Sequence, residues 1–213
     1  MIFKILDENA PAGITTELVL SAPPPIGAGT RELVKRLEAL LTDRKNAQQA
    51  EAGLLVDDKT DIEQCTKNLA AARCKIDITN ARISRLRDTA LASFVADQRQ
   101  AHAAATDAVG KSLNEWRGER QSWREACIEN FPKSAAEKIA SDAKLMPRKL
   151  HDSKMRYDES RTFALEAARI MRAVDDVYRR INVATPGLNG FPRAFSHAEL
   201  LTNAGAFIPE LRD

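Results

Sequence analysis

The chain has 213 residues, of which 44% are hydrophobic, 29% charged and only 5% aromatic, and its formal net charge is +2. The near-neutral charge predicts no strong electrostatic attraction to nucleic acid or to an acidic membrane surface. The scarcity of aromatic side chains favours a thin helical bundle packed with Leu, Ile and Ala. Three cysteines cannot all pair, and they form no C-x-x-C motif, which predicts a reducing compartment without a disulfide framework.

Neither a targeting segment nor a membrane span is visible in the sequence. Charged residues such as Lys4, Asp7 and Glu17 interrupt the first 20 residues, and no apolar run approaches the ~20 residues of a transmembrane helix. We therefore expect a soluble cytoplasmic protein with no membrane contact. Later incorporation into a viral particle is left open.

The first segment, residues 1–29, is predicted to be a small hairpin followed by a proline-rich linker. Two short apolar runs flank a turn that contains Pro11 and Gly13. Two strands alone are marginally stable in water, so one face of this hairpin needs cover from the body or from another protein. The run P-P-P-I-G-A-G-T lacks the lysine of a P-loop and is interpreted as a linker ending in an N-cap, Thr30.

The second segment, residues 30–182, is predicted to be an elongated helical body. Residues 54–109 contain neither glycine nor proline, the two residues least compatible with a helix interior. A heptad seam typical of helix–helix packing runs through them. Its positions are Ile62, Cys65, Leu69, Ala72, Ile76, Thr79, Ile83 and Leu86.

Breaks in this body are predicted from capping residues. We expect helices over about 30–55 and 60–109, the second beginning at a capping box formed by Thr60 and Glu63. One unbroken helix over both ranges is the alternative. Gly110, with a box at Ser112 and Glu115, predicts a third helix that ends at Phe131 and Pro132. Another box, at Ser134 and Glu137, predicts a short helix closed by Pro147. A long helix then covers 148–182.

The third segment, residues 183–213, is predicted to be an extended docking tail. Disordered tails are usually poor in aromatic residues, whereas this one contains three phenylalanines. Ser196 and Glu199 form a capping box, and Gly205 is predicted to end the short helix that follows. The predicted docking residues are Phe191, Phe195, Phe207 and Ile208. A partner subunit is preferred over the chain's own body as the surface that receives them.

We find no pattern that indicates catalysis, a cofactor or a metal. The three histidines, His102, His151 and His197, are far apart in sequence, and none has a recognisable metal-ligand spacing. Residues 144–180 carry ten Lys or Arg against six Asp or Glu. Because the acids are interspersed, salt bridges on solvated helix faces explain this stretch better than a nucleic-acid site.

The sequence therefore predicts a mainly α protein, an elongated helical bundle or coiled coil, that is not an enzyme. The leading hypothesis is a structural or interaction subunit of a larger assembly, with a virus or phage particle as one version. Its partners would be itself or other protein subunits. The alternatives are a cytoplasmic helical adaptor or chaperone-like regulator, and a nucleic-acid-associated coiled-coil protein.

Overall fold

The computed structural model describes residues 1–56, 61–177 and 193–212. It is mainly helical, with an N-terminal antiparallel hairpin and a C-terminal tail, which confirms the predicted fold class. The chain forms two compact units. Unit 1 contains Met1–Gln98 and Arg172–Asp213, and unit 2 contains Arg99–Met171.

The N-terminal hairpin consists of strands β1 (Ile2–Leu6) and β2 (Thr15–Val19). Ile2 pairs with Val19, and Leu6 with Thr15. Gly13 adopts a φ of +90°, a left-handed conformation that glycine reaches without steric cost, so the predicted turn residue is confirmed. Leu18 is buried and its cross-strand partner Phe3 is partly buried, whereas Ile2 and Val19, a pair on the opposite face, are exposed. One face of the hairpin is therefore covered.

Helices α1 (Ala28–Val56) and α2 (Ile62–Asn130) pack antiparallel in unit 1. Near the start of α1, the Thr30 hydroxyl lies 2.7 Å from that of Ser93. Near its end, Glu51 forms a 2.8 Å ion pair with Arg73. Thr30 lies inside the first turn of α1, so it is not the N-cap that the sequence predicts. The capping box predicted at Thr60 lies outside the described residues.

The predicted break at Gly110 is wrong, because α2 continues through it to Asn130. A helical glycine costs only about 1 kcal/mol relative to alanine, which tertiary packing readily offsets. Ser112 does not act as an N-cap. Its hydroxyl donates to the carbonyl of Val109 at 3.1 Å, within the continuous helix. The predicted end of this region at Phe131 and Pro132 is confirmed.

Helices α3 (Lys133–Ser141) and α4 (Arg148–Val174) follow. The capping box predicted at Ser134 is wrong, because Ser134 lies inside α3 and Pro132 is the N-cap. α3 also ends at Ser141, before Pro147. The start of α4 at residue 148 is as predicted, but the helix ends at Val174, because Asp175 is not helical. The remainder of the predicted range, to residue 182, lies largely outside the described residues.

The described tail contains α5 (His197–Phe207) and a 3-10 turn (Pro209–Leu211). The capping box of Ser196 and Glu199 is confirmed, with both reciprocal hydrogen bonds present. Gly205 does not end the helix. It permits close packing instead, since a Cβ there would lie 2.5 Å from Cγ of Arg212.

The core of unit 1 joins α1, α2, the end of α4, α5 and the 3-10 turn. The Phe207 ring lies 5.0 Å from that of Phe3 and 6.0 Å from that of Phe94. The buried apolar side chains of this core are Leu37, Ile83, Ala90, Leu91, Phe94, Ala173, Val174, Ala204, Ile208 and Leu211.

The tail therefore packs on its own chain. The expectation that Phe195, Phe207 and Ile208 dock on a partner is wrong, because Phe195 and Ile208 are already 95% and 98% buried here. The tail has more regular structure than its sequence pattern predicts, because it contains α5 and the 3-10 turn. Phe191, the remaining predicted docking residue, lies outside the described residues.

Candidate functional site

The predicted heptad seam lies between α2 and α1 for most of its length. Ile76, Thr79 and Ile83 are buried. Cys65, Leu69, Ala72 and Leu86 are partly buried, and the thiol of Cys65 lies 3.4 Å from the carbonyl oxygen of Leu54 on α1. Ile62, at the first turn of α2, is 83% exposed and lies outside this intrachain seam. The seam is thus mainly a packing surface within the chain.

A second stripe of α2 residues lines an open groove beside this seam. The α1–α2 groove has two adjoining parts, of about 460 Å³ and 410 Å³, which share Leu40, Ile78 and Arg82. Its other lining residues are Asp43, Ala71, Cys74, Lys75, Thr79, Ala81, Arg85, Leu86 and Thr89. All of them belong to unit 1.

Apolar side chains form the middle of the α1–α2 groove. Ile78 is 49% exposed, whereas its neighbours in the seam, Ile76 and Ile83, are at most 9% exposed. Positions 71, 75, 78, 82, 85 and 89 are spaced three or four residues apart, so they share one face of the helix. α2 therefore carries the apolar seam packed against α1 and a second, open row in which Ile78 is the one large apolar residue beside Lys75, Arg82 and Arg85.

The charges of the α1–α2 groove are mainly positive. Lys75, Arg82 and Arg85 line it and form no ion pair with any residue that the structure describes, and Asp43 is the one acid in its lining. Two basic residues outside the groove are paired: Arg36 with Glu32 at 3.2 Å, and Arg73 with Glu51 at 2.8 Å. The groove combines apolar surface with three cations and one acid.

Polar side chains elsewhere in unit 1 fasten its segments together. The carboxylate of Asp97 accepts hydrogen bonds from the Gly27 N–H at 2.7 Å and from the Thr30 hydroxyl at 2.6 Å. Gln98 donates to the carbonyl of Pro25 at 2.7 Å. These bonds attach the proline-rich linker to α2, and they occupy the Gly27 amide that a phosphate would need.

Arg193 fastens the tail to the hairpin loop. It donates to the carbonyl of Ala10 at 3.1 Å and to the carboxylate of Glu199 at 2.7 Å, and its guanidinium lies 5.3 Å from the centroid of the Phe195 ring. Hydrogen bonds from the Ser196 amide and from Arg193 lower the pKa of Glu199 below its ordinary value of 4.5. This cluster has the character of a structural clamp.

In unit 2, α2 and α4 pack antiparallel and pair their charges. Glu119 accepts from Lys149 at 2.6 Å, and Glu115 accepts from Arg156, whose pKa it raises. Trp116 stacks on Tyr157 with ring centroids 5.5 Å apart. Lys154 also pairs with Asp158 at 3.2 Å. Several cations of the basic stretch 144–180 are therefore engaged in ion pairs.

A separate cavity in unit 2, of about 550 Å³, is lined by Arg117, Arg120 and Arg124. Two of these arginines already have contacts. The guanidinium of Arg120 lies 5.8 Å from the centroid of the Trp116 ring, and Arg124 lies 3.5 Å from Glu137. The cavity also includes the last turn of α3, whose carbonyl end carries partial negative charge. It is therefore a weaker candidate than the groove.

The residues with catalytic or ligand chemistry do not converge. Within the described ranges, no group of three His, Cys, Asp or Glu side chains has the arrangement of a metal site. His197 pairs with Asp88 at 2.8 Å, and His151 lies 4.0 Å from Asp152. Cys127 is buried, whereas Cys74 is exposed in the groove. None of the helices searched is long and apolar enough to cross a membrane, a search limited to the described part of the chain.

Comparisons with protein families, with curated proteins and with solved structures find no match for this chain.

The α1–α2 groove is not predicted by the seam, although the sequence contains one signal for it. Ala71, Cys74, Ile78 and Ala81 form a second set of small or apolar residues at helical spacing, offset from the seam. Only the first stripe was recognised as a packing surface. The contribution of Leu40, from α1, depends on the antiparallel pairing and has no counterpart in local sequence.

Proposed function

We propose that this chain is a non-enzymatic structural or interaction subunit of a larger protein assembly, and that it contacts a partner protein along the α1–α2 groove. The observation that carries the proposal is the half-exposed Ile78 between unpaired cations. Contiguous exposed apolar surface rimmed by polar residues is a common mark of protein-binding sites. The other notable polar clusters described in unit 1 are used as internal clamps.

The basis of this proposal differs from that of the sequence hypothesis. The hypothesis of a repeated assembly, such as a virus or phage particle, depends on terminal arms that bind neighbouring subunits. Because Phe207 and Ile208 pack on their own core, the described tail no longer supports that version. The proposal now depends on the groove, which is equally suited to a helical adaptor or chaperone-like regulator with one client.

The proposal is tested by photo-crosslinking in the cells that make the protein. A benzoylphenylalanine replaces Ala71, an exposed residue of the groove. The matched control replaces Asn80, an exposed residue on the opposite side of α2 from the groove. We expect the probe at position 71 to form a defined protein–protein crosslink that mass spectrometry assigns, and the probe at 80 to form none. Equal crosslinking at both positions, or none at 71, would contradict the proposal.

A nucleic-acid-associated role is a weaker candidate, since Lys149, Lys154 and Arg156 are engaged in ion pairs with acids of the same unit. Salt-sensitive binding of DNA or RNA by the purified chain would favour it, because binding to phosphate backbones weakens steeply with ionic strength.

A further inference from the structure

We infer that the occupant of the α1–α2 groove is an acidic amphipathic helix belonging to a different protein. This inference rests on the proposed function and specifies the chemistry of its partner. It follows from the shape of the groove, from the position of its apolar side chains and from the sign of its charges.

The shape of the groove fits a helix. Its α2 side extends from Ala71 to Thr89, and α1 contributes Leu40 and Asp43 near its middle. Eighteen steps of 1.5 Å give a length of roughly 27 Å, which matches a partner helix of about five turns. A helix laid in such a groove would complete a three-helix arrangement, in which apolar residues at i, i+3, i+4 and i+7 enter the groove.

Apolar contact points are available at the required spacing. Ile78 and Leu86 lie eight residues apart on α2, about two turns or roughly 12 Å along the helix axis. Leu40 faces them from α1. Two apolar positions of a partner helix, seven or eight residues apart, would therefore reach both ends of this apolar floor.

The charges select an acidic partner. Lys75, Arg82 and Arg85 stand along the same side, and Arg82 and Arg85 are three residues apart, a like-charge spacing that is unfavourable in an isolated helix. Carboxylates from a partner would relieve this repulsion, and Arg can bind them in a bidentate manner. Asp43, on α1, is the one acid that a partner would meet in the groove lining.

A second copy of the chain fits less well. In a two-fold symmetric dimer, the same surface of both subunits meets itself. Such a contact, groove against groove, would bring the cations of both copies together with only Asp43 from each to offset them. A different protein with an acidic helix avoids this conflict.

The test uses the purified full chain and two designed 18-residue peptides. Both carry Leu at i, i+3, i+4 and i+7 positions, and they differ only in flanking residues, which are Glu in one and Lys in the other. Binding is measured by fluorescence anisotropy at low salt and at about 0.5 M salt, where surface charges are screened. We expect the Glu peptide to bind at least about ten-fold more tightly than the Lys peptide at low salt, with a smaller difference at high salt.

Three variants make the result specific to the groove. The double variant Arg82→Glu with Arg85→Glu should reverse the preference between the peptides. Ile78→Asp should weaken binding of the Glu peptide about ten-fold or more, since it places a carboxylate in the apolar floor. The control, Arg31→Glu with Lys45→Glu, makes the same change of charge on exposed α1 residues outside the groove, and should retain the preference. Circular dichroism verifies that each variant is folded.

Each contrary outcome has its own meaning. Equal binding of the two peptides, or an unchanged preference in the Arg82/Arg85 variant, would overturn the acidic-helix inference. Crosslinks from position 71 to a second copy of the chain would also overturn it, while leaving the proposed interaction function intact. If position 71 forms no crosslink at all, the proposed function itself fails.

Discussion

The side chain of Asn203 accepts a hydrogen bond from the backbone N–H of Leu6 at 2.7 Å, although the two residues are 197 positions apart. The same amide donates to the carbonyl of Ala173 at 2.7 Å. Asn203 is completely buried, so this one side chain satisfies polar backbone groups of β1 and of the end of α4. It ties together the hairpin, α4 and the tail.

Replacing Asn203 by Ala should destabilise the protein by about 2–4 kcal/mol. The loss leaves a buried N–H and a buried carbonyl without partners, each costing about 1–3 kcal/mol. The free energy of unfolding in urea measures the effect. Thr202→Ala is the matched control, since its exposed hydroxyl bonds only to the carbonyl of Ala198 within the same helix. Equal stability of the two variants would show that Asn203 is not a clamp.

Two isoleucines of the predicted seam should differ in how much their replacement by alanine lowers the stability of the protein. Ile83→Ala should cost about 2–5 kcal/mol because Ile83 is 98% buried in the core of unit 1. Ile62→Ala should change stability by no more than about 0.5 kcal/mol, since that side chain is 83% exposed. Thermal unfolding followed by circular dichroism distinguishes the two. Similar losses for both variants would mean that Ile62 has an unrecognised packing partner.

Deleting residues 193–213 should impair folding of unit 1. The deletion removes Ile208 and Leu211, which are 98% and 99% buried, and exposes Phe94. We expect a lower and less cooperative melting transition, together with increased binding of an apolar dye. If the truncated chain instead melts like the full one and loses only its assembly, the tail is a docking arm after all.

The Glu199 clamp should make a pH-dependent contribution to stability. Because its folded pKa lies below 4.5, the contribution is fully present above the unfolded pKa and is lost as the pH falls through the folded pKa. Glu199→Gln should therefore be destabilising by about 0.5–1 kcal/mol at pH 7, because Gln can still bond to the Ser196 amide but lacks the negative charge beside Arg193 and the helix N-terminus. Urea unfolding at a series of pH values measures the difference, which should shrink below pH 4.5. A difference that does not change with pH would exclude this carboxylate as its source.

The local features of the fold could be predicted from sequence, but its long-range contacts could not. The hairpin turn at Gly13 and the box at Ser196 and Glu199 depend on residues close in sequence, whose preferences are strong. The capping pattern at Ser112 gave a wrong boundary because a serine inside a helix can bond to a preceding carbonyl instead. The pattern at Ser134 failed because the helix begins earlier, after Pro132.

The tail and the groove show why the rest was missed. Whether Phe207 and Ile208 pack on their own chain or on another depends on the surface formed by Phe3, Phe94 and Leu37, which come from three separate segments. No local pattern encodes that juxtaposition. The groove likewise exists only because α1 pairs antiparallel with α2 and brings Leu40 beside Ile78.

The central claim, that a partner covers the α1–α2 groove, is tested most directly by the reactivity of Cys74, which is exposed and lines the groove. Maleimide labelling, with mass spectrometry to resolve each cysteine, compares the purified chain with the native complex in a gentle extract of the cells that make it. Asn80→Cys reports on the opposite side of α2. The account predicts that Cys74 reacts readily in the purified chain and is protected in the extract, while position 80 reacts in both. Equal reactivity of Cys74 in the two preparations would contradict it.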